Sequence, residues 1–250
     1  MTKTIAIVGK GGVGKTTISA LLTDLLTKKG AVLAIDGDPS ANLHTALGLP
    51  LDETVGGVRE EMAARKAAES SGIPKPNYLE LRIQQALVES EGVDLLAMGR
   101  PEGPGCYCAA NNWLRDCIDR LAGNYDYVII DCEAGMEHIS RQTTRDVDIM
   151  LLISDPTIRG ISAAARMKDL ITELRNHVDR IGLVVNRVSD GLPPEIDQAI
   201  KGAGLELIAV LSQDEGMMPL EVKGAPLTGL PSESPLRQGV SEIATKLDLL

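Results

Sequence analysis

Short apolar runs rich in β-branched residues alternate with longer amphipathic segments along this chain of 250 residues. Such runs are typical of buried strands, and their alternation with helical segments is typical of a mostly parallel sheet covered by helices on both faces. The pattern therefore predicts an α/β fold with one doubly wound sheet of about seven strands. The predicted strands are TIAIV (4–8), VLAID (32–36), VDLLAM (93–98), YVIID (127–131), IMLLIS (149–154), IGLVVN (181–186) and ELIAVL (206–211).

Four of the amphipathic segments predict helices, at about 15–29, 109–122, 158–176 and 234–247. In the first of them, Leu21, Leu22, Leu25 and Leu26 form a single apolar stripe. Residues 52–92 are less regular, because the polar run EEMAARKAAESSG is followed by PKPN. We interpret residues 1–250 as a single domain with a helical insertion at about 52–92.

Composition and charge narrow the choice of partners. The chain has 35 acidic and 25 basic residues, a net charge of −10, no Phe, one Trp and four Tyr. A negative field repels phosphate backbones and anionic lipids, and few aromatic platforms exist for stacking bases. We therefore expect neither a nucleic acid nor a membrane as partner. The apolar run at the amino terminus is too short for a signal peptide, so a cytoplasmic location is expected.

The strongest motif is GKGGVGKTT, residues 9–17, which lies between the first predicted strand and the first predicted helix. It fits G-x-x-x-x-G-K-[ST], a loop whose backbone N–H groups cradle phosphates. In such a loop the lysine, here Lys15, contacts the outer phosphate oxygens, and the hydroxyl, here of Thr16, holds Mg²⁺. The nucleotide contacts predicted in this segment are Gly9, Gly11, Gly12, Val13, Gly14, Lys15, Thr16 and Thr17.

A second lysine, Lys10, follows the first glycine of the loop. With it, the loop resembles that of the MinD, ParA and nitrogenase iron protein group, the P-loop NTPases with a deviant Walker A motif. The resemblance implies an ATPase that works as a homodimer. It also implies that Lys10 reaches the nucleotide of the opposite subunit, in the manner of an arginine finger supplied in trans, and so couples hydrolysis to dimer closure.

Acidic residues follow two predicted strands, in DGDPSANL and at the end of YVIID. The carboxyl ends of parallel strands meet at the edge of the sheet where phosphates bind. In the resembled group the first segment is switch I, which implies that Asp38 orients the attacking water and that Asp36 supports the Mg²⁺ shell. Asp131 matches the Walker B carboxylate that partners Mg²⁺, and the following CEAG matches switch II. An Asp-Pro turn with a helix cap at Ser40 or Asn42 is a structural interpretation of the first segment that can hold at the same time.

The segment NRVSD bears on the choice of base. A guanine-specific N-K-x-D loop needs Asp three positions after its Asn, where this chain has Ser189, so ATP is favoured. In the resembled group an Asn-Arg pair contacts adenine, which implies this role for Asn186 and Arg187. A segment after the last strand completes the pocket there, which implies Gln213 and Asp214. A strand-ending turn is the alternative interpretation of Asn186.

Two of the four cysteines lie one residue apart in GPGCYCAANN. The thiolates of Cys106 and Cys108 can converge in an irregular turn, but Zn²⁺ and square-planar Ni²⁺ each take four ligands. The same pair from a second subunit would complete the set across a twofold axis. Reduced thiols without a ligand are the alternative. Cys117, in contrast, lies on the apolar face of a predicted helix and is expected to be a buried core thiol.

Taken with the P-loop, GRPEGPGCYCAANN and YVIIDCEAGMEHISR make the chain resemble the CooC-type accessory ATPases for nickel insertion into carbon monoxide dehydrogenase. This resemblance implies an ATP-hydrolysing metallochaperone that binds Ni²⁺ or Zn²⁺ and has that dehydrogenase as its client. Two other functions stay open: an iron–sulfur redox ATPase like the nitrogenase iron protein, and a positioning ATPase without metal. Cys132 and His138 have no assigned role.

Overall fold

A computed structural model describes residues 2–65, 75–99, 108–135, 146–174 and 177–250. Within these residues, eight strands form one sheet in the order β3-β4-β2-β5-β1-β6-β7-β8. Every neighbouring pair is parallel except β3 and β4. The strands are β1 Lys3–Gly9, β2 Val32–Asp36, β3 Val88–Glu89, β4 Val93–Ala97, β5 Tyr127–Asp131, β6 Asp146–Ser154, β7 His177–Val188 and β8 Leu207–Ser212.

All seven predicted strands are confirmed, and the α/β class with them. The eighth strand, β3, has two residues, a length too short to leave an alternation in the sequence. It pairs antiparallel with β4 at the edge of the sheet. Strand β7 begins four residues earlier than predicted, because its polar start pairs with β6 from His177 onwards.

Helices flank the strands in the described part of the chain. They are α1 Lys15–Leu26, α2 Leu43–Leu47, α3 Val55–Arg65, α4 Lys75–Ala86, α5 Cys108–Leu121, α6 Ile158–Glu173, α7 Pro194–Gly202, α8 Met217–Lys223 and α9 Pro235–Lys246. The four predicted helices correspond to α1, α5, α6 and α9, with bounds that differ by up to three residues. Helices α3 and α4 lie inside the segment 52–92.

The core has two halves, one on each face of the sheet. Alternate residues of β1 separate into them: Ile5 and Ile7 belong to the half under α1 and α9, and Ala6 and Val8 to the half under α5, α6 and α7. Each half is built from fully or nearly fully buried aliphatic side chains, and each such Leu or Ile contributes roughly 1.5–3 kcal/mol. Helices on both faces of a parallel sheet confirm the doubly wound arrangement.

Parallel strands also fix where the site lies. Strands β1, β2 and β5 are neighbours, and Asp131 at the end of β5 is in register with Ile7 of β1 and with Asp36 of β2. Loops that leave these strands therefore emerge at one edge of the sheet, which we call the carboxyl edge. Among the described helices, none is long and apolar enough to cross a bilayer.

Candidate nucleotide and metal site

The glycine-rich loop connects β1 to α1 at the carboxyl edge. Gly12 and Gly14 have φ values of 75° and 96°, in the left-handed region that favours glycine. A Cβ on Gly9 would lie 2.4 Å from the carbonyl oxygen of Ile153 in β6, so only glycine lets the loop start this close to the neighbouring strand. Helix α1 then begins with no acidic residue in its first turn and no side-chain cap on its N–H groups. The loop and the helix start thus present N–H donors to an anion.

Both loop lysines donate to backbone carbonyl oxygens. Lys15 is 8% exposed, and its ammonium lies 3.3 Å from the carbonyl oxygen of Lys10. Lys10 reaches away from the loop, and its ammonium donates to the carbonyl oxygen of Arg159 at 3.0 Å, in the first turn of α6. In the single chain, therefore, Lys15 lies across the loop and Lys10 rests on α6.

Asp131 is held by two hydroxyl groups of α1. Thr16 Oγ1 donates to Oδ2 at 2.6 Å, and Ser19 Oγ donates to Oδ1 at 3.1 Å. Asp131 is 1% exposed, and this burial raises its pKa to about 6, although the hydrogen bonds and the charge of Lys15 oppose the rise. Burial thus disfavours the charged form of the carboxylate, and a bound cation would favour it.

The structure thus brings together Thr16 and Asp131, a pair expected from the sequence to face Mg²⁺. Hydroxyl and carboxylate oxygens are ligands that Mg²⁺ accepts, so these residues fit the ion. Ser19 was missed by the sequence analysis. Its three-residue spacing from Thr16 places both hydroxyls on one face of α1, and that spacing is the signal that could have found it.

Asp36 organises the loop that follows β2. It is fully buried, its Oδ1 accepts from the Asp38 N–H at 3.1 Å, and its Oδ2 accepts from the Leu43 N–H at 2.8 Å. Burial raises the pKa of Asp36 to about 7, and the negative charge of Asp131 adds to the rise. The loop of residues 37–42 is therefore fastened at both ends to one carboxylate. Its support of the Mg²⁺ shell stays a prediction.

Asp38 lies within that loop, and the hydrogen bonds that its side chain makes to described residues are local. Its Oδ1 accepts from the N–H of Ser40 at 2.9 Å and from the hydroxyl of Ser40 at 2.5 Å. The expected Asp-Pro turn is therefore present. The expected helix cap is wrong in detail: Asn42 precedes α2, but its side chain donates to Ser40, and Asp36 accepts the first N–H of the helix instead.

Asn186, which is predicted to contact adenine, contacts the glycine-rich loop in the structure. It is 5% exposed, and its Nδ2 donates to the Val13 carbonyl oxygen at 2.8 Å. Its Oδ1 accepts from the N–H of Arg187, an exposed residue with φ of 62°. The side chain is thereby tied to the P-loop.

The segment after β8 is tied down as well. The Gln213 N–H donates to the carbonyl oxygen of Val188, near Asn186. Asp214 accepts from the hydroxyl of Ser234 and from the Leu236 N–H, both at the start of α9. Although burial opposes the shift, these bonds hold the pKa of Asp214 below its usual value. Asp214 therefore fixes the path of the backbone there. Its adenine contact, like that of Asn186, stays a prediction.

Neither side chain of the predicted thiolate pair is among those described. Cys106 lies outside the described residues, as does His138, and Cys108 is the first residue of α5, with a side chain that is also not described. Among the side chains that are described, no group of three or more His, Cys, Asp or Glu is arranged to hold a metal.

The other two cysteines belong to the core. Cys117 is fully buried, as predicted, and burial raises the pKa of its thiol to about 12. Cys132 is 1% exposed, and burial likewise raises its thiol pKa well above the ordinary value. Cys132, which the sequence left unassigned, thus packs in the core half under α5, α6 and α7.

Comparisons with known proteins agree with this geometry. A sequence profile of a family described as an AAA domain matches residues 2–181. An uncharacterized ATP-binding protein of Methanocaldococcus jannaschii is 45% identical over 97% of both chains. The carbon monoxide dehydrogenase accessory protein CooC of Rhodospirillum rubrum is 35% identical over 68% of this chain and 69% of its own.

A solved structure extends the likeness over nearly the whole chain. The septum site-determining protein MinD of Pyrococcus horikoshii, complexed with Mg-ADP, superposes with a TM-score of 0.74 at 25% identity, over 99% of this chain and 96% of that one. The fold, the glycine-rich loop and the relatives all indicate the same family. The chain belongs to the AAA-domain family and is a P-loop ATPase of the MinD/ParA type.

Proposed function

We propose that the chain is an ATP-hydrolysing metallochaperone that dimerises with nucleotide and binds Ni²⁺ or Zn²⁺ through Cys106 and Cys108 of both subunits. Its client would be a nickel-dependent carbon monoxide dehydrogenase, whose nickel insertion it would serve. The similarity to the CooC accessory protein of Rhodospirillum rubrum supports this proposal.

One structural observation carries it. Strand β4 ends at Ala97, in register with Asp36 of β2, and α5 begins at Cys108 before the chain returns to β5. Because β4 and β5 are both parallel to β2, the segment between β4 and α5 leaves from the carboxyl edge. Strand β4 thus directs the chain toward the two cysteines from the edge where the glycine-rich loop and Asp131 lie. A dimer that closes over this edge would then bring the Cys106 and Cys108 pairs of two subunits together.

The contacts of the glycine-rich loop and of Asp131 support the nucleotide half of the proposal. The N–H groups of the loop and Lys15 would hold the phosphates, while Thr16 and Asp131 would hold Mg²⁺. The ion, when bound, neutralises charge on the phosphate oxygens. Asp38 would orient a water molecule whose oxygen attacks the γ-phosphorus, with cleavage of the bond to the β–γ bridging oxygen and release of ADP and phosphate.

Lys10 would link hydrolysis to the dimer. In the single chain its ammonium is occupied by the carbonyl oxygen of Arg159, a neutral acceptor at the start of α6. A triphosphate presented by a second subunit would be a stronger, charged acceptor. Closure of the dimer would therefore draw Lys10 from α6 to the partner's nucleotide.

The experiment that tests the metal site is equilibrium dialysis against Ni²⁺ under anaerobic conditions, with ATP affinity measured in parallel. We expect about one Ni²⁺ per two chains, and we expect Cys106→Ser with Cys108→Ser to abolish this binding while ATP affinity is kept. Cys117→Ala is the matched control, because it removes a core thiol and should leave nickel binding intact.

Unchanged nickel stoichiometry in the double variant would contradict the proposed ligands. Visible absorption from iron and sulfide in the anaerobic protein would instead favour the iron–sulfur redox ATPase. Loss of nickel binding in the Cys117→Ala variant, with the fold intact, would assign the metal to a different set of thiols.

A further inference from the structure

Asn186 connects the end of β7 to the glycine-rich loop across 173 positions of sequence. Its Nδ2 donates to the Val13 carbonyl oxygen at 2.8 Å, and the side chain is almost completely buried. The orientation of the amide is fixed chemically. Because Oδ1 accepts from the Arg187 N–H at 2.9 Å, the NH₂ group faces Val13.

The contact with the loop is close as well as directed. A Cβ on Gly14 would lie 2.4 Å from Nδ2 of Asn186, so the amide packs directly against the backbone of Gly14. Gly14 has φ of 96°, and its carbonyl oxygen accepts from the Ile18 N–H at 3.1 Å, in the first turn of α1. Asn186 therefore touches the residues that set both the curvature of the loop and the start of the helix.

This arrangement matters for phosphate binding because a loop that binds anions must turn its N–H groups, and not its carbonyl oxygens, toward the ligand. Asn186 draws the Val13 carbonyl oxygen toward β7 and satisfies it there. Without that donor, a buried carbonyl would lack a partner and could rotate toward the phosphates, where it would repel them.

We propose that Asn186 is a positioning residue for the phosphate loop, and that it supports binding of the triphosphate itself independently of any contact with the base. This inference rests on the nucleotide site described under the proposed function. A residue that only reads adenine would affect ligands that carry a base, whereas a brace of the loop affects every ligand that carries the phosphates.

A ligand without a base separates the two roles. Calorimetric titration with Mg²⁺-ATP and with Mg²⁺-tripolyphosphate should show that Asn186→Ala weakens both by a similar factor, about tenfold. Gln213→Ala is the matched control on the base side: it should leave tripolyphosphate affinity within about twofold of the wild type. If Asn186→Ala weakens ATP and leaves tripolyphosphate unchanged, the proposal is wrong.

A second variant keeps the test decisive if Asn186→Ala lowers overall stability, which urea unfolding without ligand would reveal. Gly14→Ala disturbs the contact between Asn186 and the loop from the other side, because the added Cβ would lie 2.4 Å from Nδ2 of Asn186. If the two substitutions act through one brace, the double variant should lose less tripolyphosphate affinity than the product of the two single losses. Multiplicative losses would overturn the proposal. Neither result depends on nickel binding, so failure of the metallochaperone function would be seen separately.

Discussion

Two carboxylates at the carboxyl edge, Asp131 and Asp38, are held in different ways. Asp131 is buried, and each of its oxygens accepts from a hydroxyl group of α1, more than 100 positions away in sequence. Asp38 is partly exposed, and the side-chain hydrogen bonds described for it come from Ser40, two positions away. One carboxylate is fixed by the tertiary fold, and the other by its own turn.

The difference matches the two tasks proposed for these carboxylates, holding the ion and orienting water. An ion site benefits from ligands that are already in place, because no reorganisation is then needed when the charge arrives. A group that orients water needs its final position only when nucleotide and partner are present. Asp36 is consistent with this division, since it fastens the backbone of the loop at Asp38 and Leu43, whereas the Asp38 side chain is held by its local bonds to Ser40.

The largest effect is expected at the fixed carboxylate. Asp131→Asn keeps the shape of the side chain but removes the charge proposed to face Mg²⁺, so turnover at saturating Mg²⁺-ATP should fall by about 100-fold or more. Steady-state phosphate release measures this. Asp148→Asn is the control, because Asp148 accepts from the Thr4 N–H toward the opposite edge of the sheet and should have little effect. Turnover within about tenfold of the wild type in Asp131→Asn would remove Asp131 from the ion site.

A smaller effect is expected at Ser19, whose hydroxyl donates to Oδ1 of Asp131. Ser19→Ala frees Oδ1 of Asp131, so the Mg²⁺ concentration for half-maximal turnover should rise about tenfold, while turnover at saturating Mg²⁺ changes much less. A magnesium titration of ATPase activity measures both quantities. Ser162→Ala, which removes an exposed hydroxyl from α6, is the matched control. An unchanged magnesium requirement in Ser19→Ala would show that Thr16 orients Asp131 alone.

Most of the fold could be predicted because the strands are nearly continuous apolar runs, as expected where both faces of a sheet are covered. Elements with little apolar surface were missed. Helix α8 has no buried residue, and α7 has only nine residues, so its buried pair Ile196 and Ile200 is too short a pattern to stand out in the sequence.

The site could be predicted where a motif applies, or where parallel strands end at the same edge of the sheet. The pairing of Thr16 with Asp131 follows from a P-loop and a strand end in neighbouring positions of a parallel sheet. The cap that Asp36 provides to Leu43 and the bond from Asn186 to Val13 depend on the path of loops in three dimensions, which residue spacing does not encode. The roles of Cys106 and Cys108 stay predictions.

The affinity of Asp38→Asn for ATP tests the contrast between the two carboxylates most directly. If Asp38 acts on water and the phosphates are held elsewhere, calorimetry should give an ATP dissociation constant within about twofold of the wild type, while turnover falls by at least about tenfold. An ATP affinity that falls in step with turnover would contradict the account, because it would place Asp38 among the groups that hold the nucleotide.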